Sequence, residues 1–324
     1  MLKKALLDAN IFKLLFLLNK LYLVSNPVNS AKPDWAGPAF ISDMNQVNRI
    51  LSVVSDPRYY QIIVLSLLLG YGILELDFGI RWQNALIIVA TALAVQFLGT
   101  RYARLPRFDP LSPLITSMSL TLLLRTDTIW LAATAASLAI GSKFLLRYRG
   151  KHIFNPANFA LVSLMLLSDH AWVSSGQWGS AAIGAFALAC LGFLVLTRAR
   201  RAETTIAFIL IYAALLFGRA IWLDDPFSIP LHQMQNGALL IFAFFMISDP
   251  KTTPNTAAGR VLFAALVASV AYTIQFIYYQ PNGPILALIM CAPMVPVIDS
   301  LLCGRIYRWE TPSGRETSAI KGVS

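Results

Sequence analysis

Two short polar interruptions break otherwise apolar sequence, and they carry the side chains best suited to bind a ligand. Residues 152–160 read HIFNPANFA, and residues 246–254 read MISDPKTTP. Each sets a proline beside amide, carboxylate or hydroxyl groups. Backbone that leaves a helix near hydrocarbon has unpaired N–H and C=O groups, each of which costs several kcal/mol. A binding site is the usual reason for such breaks, and ordinary cytoplasmic turns are the alternative.

The composition indicates a protein embedded in a membrane. The chain has 324 residues, of which 57% are apolar and 13% charged, and its mean hydropathy is +0.63. The net charge of +10 fits an excess of Lys and Arg in cytoplasmic loops, and no nucleic-acid or phosphate-loop motif appears. Cys190, Cys291 and Cys303 stand alone, and the three histidines are not paired. We therefore expect no metal site, haem or disulfide framework.

Ten apolar segments are long enough to indicate helices in an all-α polytopic membrane protein. If both termini are cytoplasmic, all but three of the 26 Lys and Arg residues lie on the cytoplasmic side. The exceptions are Arg81, Arg125 and Arg219. The segments are 59–75, 83–100, 111–124, 128–146, 157–168, 178–197, 204–222, 234–248, 260–279 and 283–303.

Ten helices divide into two inverted repeats of five, about 59–168 and 178–303. The third segment of each repeat, 111–124 and 234–248, covers only about 21–23 Å of a core of about 30 Å. Ser112 followed by Pro113 indicates the N-cap and first residue of the first short helix. Short spans at matching positions of two repeats point to a ligand site near the membrane midplane, although two short spans in a thin membrane are the alternative.

The two ends of the chain are predicted to lie outside this ten-helix membrane domain, 59–303. Residues 1–58 form a cytoplasmic segment in which an interfacial amphipathic helix is preferred to a signal peptide. An alternative is that translation of the protein begins at Met44. Residues 304–324 form a polar cytoplasmic tail.

Four sequence blocks resemble the NqrB/RnfD family, the membrane subunits of sodium-pumping NADH:quinone oxidoreductase and of the Rnf electron-transport complex. The matching blocks occur in the family's order and are similar to its S-x-L-V-T-G, F-N-P-A, T-D-P-x-T-S-P and A-L-V-P-L-I-D motifs. The resemblance covers roughly residues 59–303. In this chain the blocks are residues 112–117, 154–157, 248–255 and 293–299.

The resemblance implies electron transfer through a flavin, FMN or riboflavin, with other subunits as redox partners. Family members attach a flavin to a threonine in an S-G-A-T-like motif at the outer start of the sixth span. Here the corresponding position is Trp178, and indole has no hydroxyl to esterify. We therefore expect a noncovalent flavin, with Trp178 either stacking on its ring or serving as an interfacial tryptophan.

The family resemblance and the broken segments together suggest which side chains bind the cofactor. Asn155, Asn158, Thr252 and Thr253 are the expected polar ligands beside Pro156, and Asp249 is expected to hold the broken segment. Arg147, Arg149 and Lys151 are candidates for a phosphate or partner surface, with solvated loop charges as the alternative. The expected cavity lining from the other half consists of Ser112, Thr116 and Ser117.

The preferred function is an electron-transfer subunit of the inner membrane that is surrounded by lipid and exchanges electrons with partner subunits or a quinone. A link to ion transport is left open. Two alternatives remain open: a transporter or channel-like protein of the same fold without redox chemistry, and a membrane assembly scaffold. The visible spectrum of the purified protein discriminates between them, because only the first is yellow.

Overall fold

Helices coincide with nine of the ten predicted apolar segments. The computed structural model describes residues 57–74, 79–173 and 202–304, and these described residues belong to one compact unit. The segment 178–197 lies outside the described residues, as do the chain termini. The helices of the first half are α1 (Pro57–Leu74), α2 (Trp82–Tyr102), α3 (Leu111–Leu123), α4 (Ile129–Leu145) and α5 (Pro156–Leu167).

The second half contains both long and interrupted helices. Its elements are α6 (Ala202–Leu223), α7 (Ser228–Met234), α8 (Gly237–Ile241), a π-helical segment (Phe242–Met246), α9 (Ala257–Phe276), α10 (Gly283–Cys291) and α11 (Met294–Leu301).

Three described helices, α2, α6 and α9, are long and apolar enough to cross a membrane. The pair α10 and α11 is bent by 55° and would be a fourth crossing if it is one span. Pro293 stands at this bend, where a proline removes one helical hydrogen bond. The predicted membrane-protein class is therefore confirmed, with three or four spans among the described residues.

The expectation of an all-α fold is incomplete, because two short antiparallel pairs join the helices. β1 (Leu124–Thr126) pairs with β4 (Ala171–Val173), and β2 (Arg147–Tyr148) forms a hairpin with β3 (Lys151–His152). These strands pair the backbone groups of the connections between helices. Strands of two or three residues are too short to produce a period of two in hydropathy, so the sequence pattern does not reveal them.

The core of the first half depends on small residues that let helices approach closely. Along α4, Ala132, Ala135, Ala136 and Ala139 are fully buried, and α4 packs against α2 and α5. Gly99 of α2 lies directly against the ring of Phe144, where a Cβ atom would clash.

The predicted short third span of the second half is interrupted as well as short. Asn236 caps α8, because its Oδ1 accepts a hydrogen bond from the Ala238 amide at 2.9 Å. After one turn the chain widens into the π-helical segment, a feature often found at functional sites. Two hydroxyls bind its carbonyls: Thr205 donates to the Ala243 oxygen at 2.6 Å and Ser248 to the Phe244 oxygen at 2.5 Å. This span is therefore held in its irregular form by side chains.

Candidate ligand site at the broken helices

Asn155 joins the first polar interruption to the second. Its Oδ1 caps α5 by accepting from the Asn158 amide at 3.1 Å, and Pro156 occupies the first helical turn. Its Nδ2 lies 3.4 Å from both Asp249 Oδ2 and the Met246 carbonyl. The fold therefore brings together two predicted site residues that are 94 positions apart in the chain.

Asp249 holds the second interruption in a tight turn. Its Oδ1 accepts from the Lys251 amide at 2.9 Å. Its carbonyl accepts from the hydroxyls of Thr252 at 3.4 Å and Thr253 at 3.0 Å. The hydroxyl hydrogens of both threonines thus stabilise the turn, which leaves only the hydroxyl lone pairs to contact a ligand.

Asn158 is the most unusual residue at this junction. Its side chain is 1% exposed, yet neither Oδ1 nor Nδ2 has a hydrogen-bond partner among the described residues. Burying an amide without partners costs about 1–3 kcal/mol. Such a group is retained either for a ligand or at the expense of stability.

The residues of α3 that were predicted to line the cavity bond to their own helix, and one of them is not its N-cap. The helix starts at Leu111, whose amide donates to Asp109 Oδ1 at 3.1 Å, so the prediction that Ser112 is the N-cap is wrong. Thr116 and Ser117 donate to backbone carbonyls of their own helix. Asp109 outcompetes Ser112 because its carboxylate accepts strongly from an N-terminal amide.

Lys143 is a site residue that the sequence analysis counted only among the cytoplasmic charges. It lies in the last turn of α4 with 6% of its surface exposed. Its ammonium donates to Thr116 Oγ1 at 2.9 Å, to Ser112 Oγ at 3.0 Å and to the Ser112 carbonyl at 3.3 Å. Asp249 and Asp109 are close enough to act on it electrostatically. The sequence signal that could have identified Lys143 is a lysine within an apolar run.

Positive charge also surrounds His152, at the edge of the β2–β3 hairpin. Burial, assisted by the positive charges of Lys143, Arg147 and Lys251, lowers the pKa of the His152 ring to about 3. Its Nδ1 is buried and has no hydrogen-bond partner within the described ranges. The ring is therefore neutral at physiological pH and faces a positively charged region.

The hairpin basic residues do not behave as one surface. Arg147 and Arg149 are exposed, whereas the Lys151 ammonium donates to the Thr253 carbonyl at 2.6 Å, to Asn255 Oδ1 at 3.1 Å and to Asp299 Oδ2 at 2.8 Å. Lys151 thus acts as a structural contact, and the suggested phosphate or partner surface remains a prediction only for the two arginines. Trp178 lies outside the described residues.

These features define a helical membrane protein in which polar breaks from two parts of the chain meet around a buried lysine. The sequence model of the NQR2, RnfD, RnfE family matches residues 170–308. That range includes the blocks around Asp249 and Asp299 and begins after those around Ser112 and Asn155. Over residues 170–308 the chain is therefore similar to the NqrB/RnfD family, as the sequence motifs predicted.

Curated relatives point to the same family, and all three described here are RnfD proteins of ion-translocating oxidoreductase complexes. The chain is 35% identical over 81 residues to the RnfD protein of Tolumonas auensis, covering 25% of this chain and 23% of the relative. It is 32% identical over 121 residues to that of Mannheimia succiniciproducens, covering 37% and 34%. For the relative from Erwinia tasmaniensis the values are 32% over 118 residues, covering 36% and 33%. The matched stretches thus span about a quarter to a third of these relatives.

Proposed function

We propose that this protein is an electron-transfer subunit of an ion-translocating oxidoreductase complex and that it binds a flavin noncovalently where the two polar breaks meet. The family match and the names of the relatives support the first part. The observation that carries the second part is the buried amide of Asn158, which has no partner among the described residues. The proposal includes exchange of electrons with partner subunits or a quinone.

The donor and acceptor set at the junction suits the edge of an isoalloxazine ring. That edge presents one N–H donor between two carbonyl acceptors, and an amide offers the complementary donor and acceptor. Asn158 would hold this edge, while Asn155 and Asp249 keep the broken backbone in place. Because only 1% of Asn158 is exposed, a ligand reaches the amide only if neighbouring side chains move apart. The ring of Trp178 remains a candidate for stacking.

Lys143 supports a ligand that gains negative charge. Within hydrogen-bond distance its ammonium has three neutral oxygens and, among the described residues, no carboxylate. A bound flavin would supply reversible one- or two-electron chemistry, and nearby positive charge is one means by which a protein tunes it. The hydrogen bonds of Lys143 would hold its positive charge at a constant position beside the flavin.

The membrane arrangement that we propose has ten spans in two inverted five-helix repeats, with both termini cytoplasmic, in the inner membrane. The distribution of Lys and Arg along the sequence supports it. So do the short α3 and the interrupted α8 and π-helical segment, which stand at corresponding third positions of the two halves. Lipid would surround the helices, and partner subunits would complete the complex.

The test is the visible spectrum of the detergent-purified protein, followed by denaturation. We expect a yellow protein whose flavin is released by acid or detergent denaturation and leaves no fluorescence on the polypeptide in a denaturing gel. Fluorescence that remains on the chain would contradict noncovalent binding. A colourless protein purified with and without added riboflavin and FMN would contradict the flavin site.

A transporter-like protein without redox chemistry is the second candidate. The buried Lys143 beside two broken helices favours a transporter as much as it favours a flavin site, because ion and substrate sites in transporters are built from such elements. A colourless protein that transports a solute or ion in proteoliposomes would support this alternative.

A further inference from the structure

The C-terminal ends of α2 and α4 lie side by side, and each is followed by a turn that carries arginines. Gly99, in the last turn of α2, lies against the ring of Phe144, in the last turn of α4. The connection after α2 and the β2–β3 hairpin after α4 therefore start at the same end of the two helices. Five exposed arginines stand in and beside these turns: Arg101, Arg104, Arg107, Arg147 and Arg149.

Among the described residues, no carboxylate lies within ion-pair distance of these five arginines. Asp109 is the one acidic residue in the connection after α2, and its carboxylate pairs with Arg58 at 2.6 Å. The contacts that the arginines do make are with neutral groups: the Phe97 ring for Arg101, the Tyr148 ring for Arg149 and the Gly150 carbonyl for Arg147. The two turns therefore present a positive surface, and phosphate is an anion that arginine binds well.

Two of these arginines stand at backbone positions that residues with a Cβ atom rarely adopt. Arg104 has a φ of 50° and Arg149 has a φ of 46°. The Arg104 amide donates to the Arg101 carbonyl at 3.1 Å, in the kind of helix ending where glycine is usual. Arg149 and Gly150 form the two-residue loop of the hairpin, where asparagine followed by glycine is usual. Strained backbone is concentrated at functional sites, and in these two turns the strained residues both carry positive charge.

Exposed apolar side chains beside the arginines indicate that the turns lie at the level of lipid headgroups. Tyr102, next to Arg101, is 88% exposed, and Leu145, the last residue of α4, is 79% exposed. Because α2 is long enough to span a membrane, its last turn reaches the membrane surface, where aromatic rings and basic residues are typically found. A lipid can cover Tyr102 and Leu145 with its acyl chains while its phosphate meets the arginines. A soluble acidic protein would leave these apolar side chains in water.

We infer that the two turns together bind a lipid with two phosphate groups, of the cardiolipin type. One phosphate pairs with Arg104 after α2, and the other pairs with Arg149 in the hairpin after α4. Basic sites between membrane helices suit such headgroups. Phosphatidylglycerol has the same phosphate and glycerol chemistry but one phosphate, so it engages one turn at a time, which makes it the matched comparison.

The experiment measures lipid binding to the full-length, delipidated protein by native mass spectrometry and by thermal stabilisation in detergent. We expect cardiolipin to bind about tenfold more tightly than phosphatidylglycerol of the same acyl chains, because its second phosphate binds at a raised effective concentration. This preference should shrink as the ionic strength rises. Equal binding of cardiolipin and phosphatidylglycerol overturns the two-phosphate site. Equal binding of cardiolipin and neutral phosphatidylcholine overturns the inference in favour of an acidic protein surface, and equal stabilisation by inorganic phosphate shows that the source is not a lipid.

Variants at the two strained positions locate the site. Glycine adopts a positive φ without strain, so Arg104→Gly and Arg149→Gly should melt at least as high as the parent when both are free of lipid. Each should nevertheless lose most of the preference for cardiolipin over phosphatidylglycerol, a combination that a purely structural role for the arginines does not produce. Tyr279→Gly, which also replaces a residue with positive φ (55°), is the control and should keep the preference. If both arginine variants bind cardiolipin like the parent, these turns are not the site.

Discussion

The ammonium of Lys151 lies 2.8 Å from Asp299 Oδ2, and the same carboxylate accepts from the Asn255 amide at 2.8 Å through Oδ1. Lys151 belongs to the β2–β3 hairpin and Asp299 to α11. The ion pair therefore links the hairpin before the first break to the segment after the second break. It holds the turn at Thr253 in place from both sides.

Removing one partner of this pair should destabilise the protein. Lys151→Met leaves Asp299 without its cation, at an expected cost of about 3 kcal/mol, the lower end of the range for buried pairs. The lower end applies because the two side chains retain 12% and 15% exposure and solvent weakens the interaction. Thermal melting in detergent measures the effect. Arg149→Met, at an exposed position in the same hairpin, is the control, and equal melting of the two variants would show that the pair contributes nothing.

Asn158→Leu should stabilise the protein and abolish ligand binding. Leucine is similar in size and removes a buried amide that no described residue pairs, so the free energy of unfolding should rise by about 1–2 kcal/mol. Flavin occupancy should be lost because the ligand's polar edge then has no partner. The measurements are the melting temperature of ligand-free protein and the flavin content. Ser163→Ala on the same helix is the control, and a variant with normal flavin content would remove Asn158 from the site.

Asn155→Leu and Asp249→Leu should behave in the opposite way with respect to stability. Each removes a partner of buried backbone or side-chain groups, so each should lower the free energy of unfolding by about 1–3 kcal/mol and also reduce flavin content. Side-by-side melting with Asn158→Leu tests the contrast. Parent-like melting and flavin content in both variants would identify them as ordinary turn residues.

The neutral ring of His152 predicts a pH dependence of stability. Its pKa is about 3 in the folded protein and 6.5 when unperturbed. Below pH 6.5 the unfolded chain binds a proton that the folded protein does not, so stability is lost as the pH falls from about 6.5 towards 3. His152→Phe should lose less stability than the parent between pH 7 and pH 5 in thermal melts. Parallel curves for the two proteins would show that His152 does not contribute.

The orientation in the membrane can be tested by labelling single cysteines from either side. The charge pattern predicts that residues 176 and 282 are reached from outside and residues 105 and 200 from inside. A membrane-impermeant maleimide on intact cells and on inverted vesicles distinguishes the two sides. Labelling of residue 176 from inside would contradict the ten-span arrangement.

The membrane class, the resemblance to a family and the approximate bounds of the helices could be predicted from the sequence. Apolar runs with few charges are local features, and so are the proline-containing breaks around Asn155 and Asp249. The expected N-cap at Ser112 was wrong because a second capping side chain stands close by in the sequence. The carboxylate of Asp109, three residues earlier, accepts the hydrogen bond of the first helical amide.

Only the tertiary structure decided which of these residues meet. The contacts of Asn155 with Asp249 and of Lys151 with Asp299 join positions 94 and 148 residues apart, and no hydropathy pattern encodes such a pairing. The burial of Lys143 and of the Asn158 amide are likewise properties of packing. A lysine in an apolar run and an asparagine beside a proline look the same in sequence whether water or protein surrounds them, because their environment is set by helices that come from elsewhere in the chain.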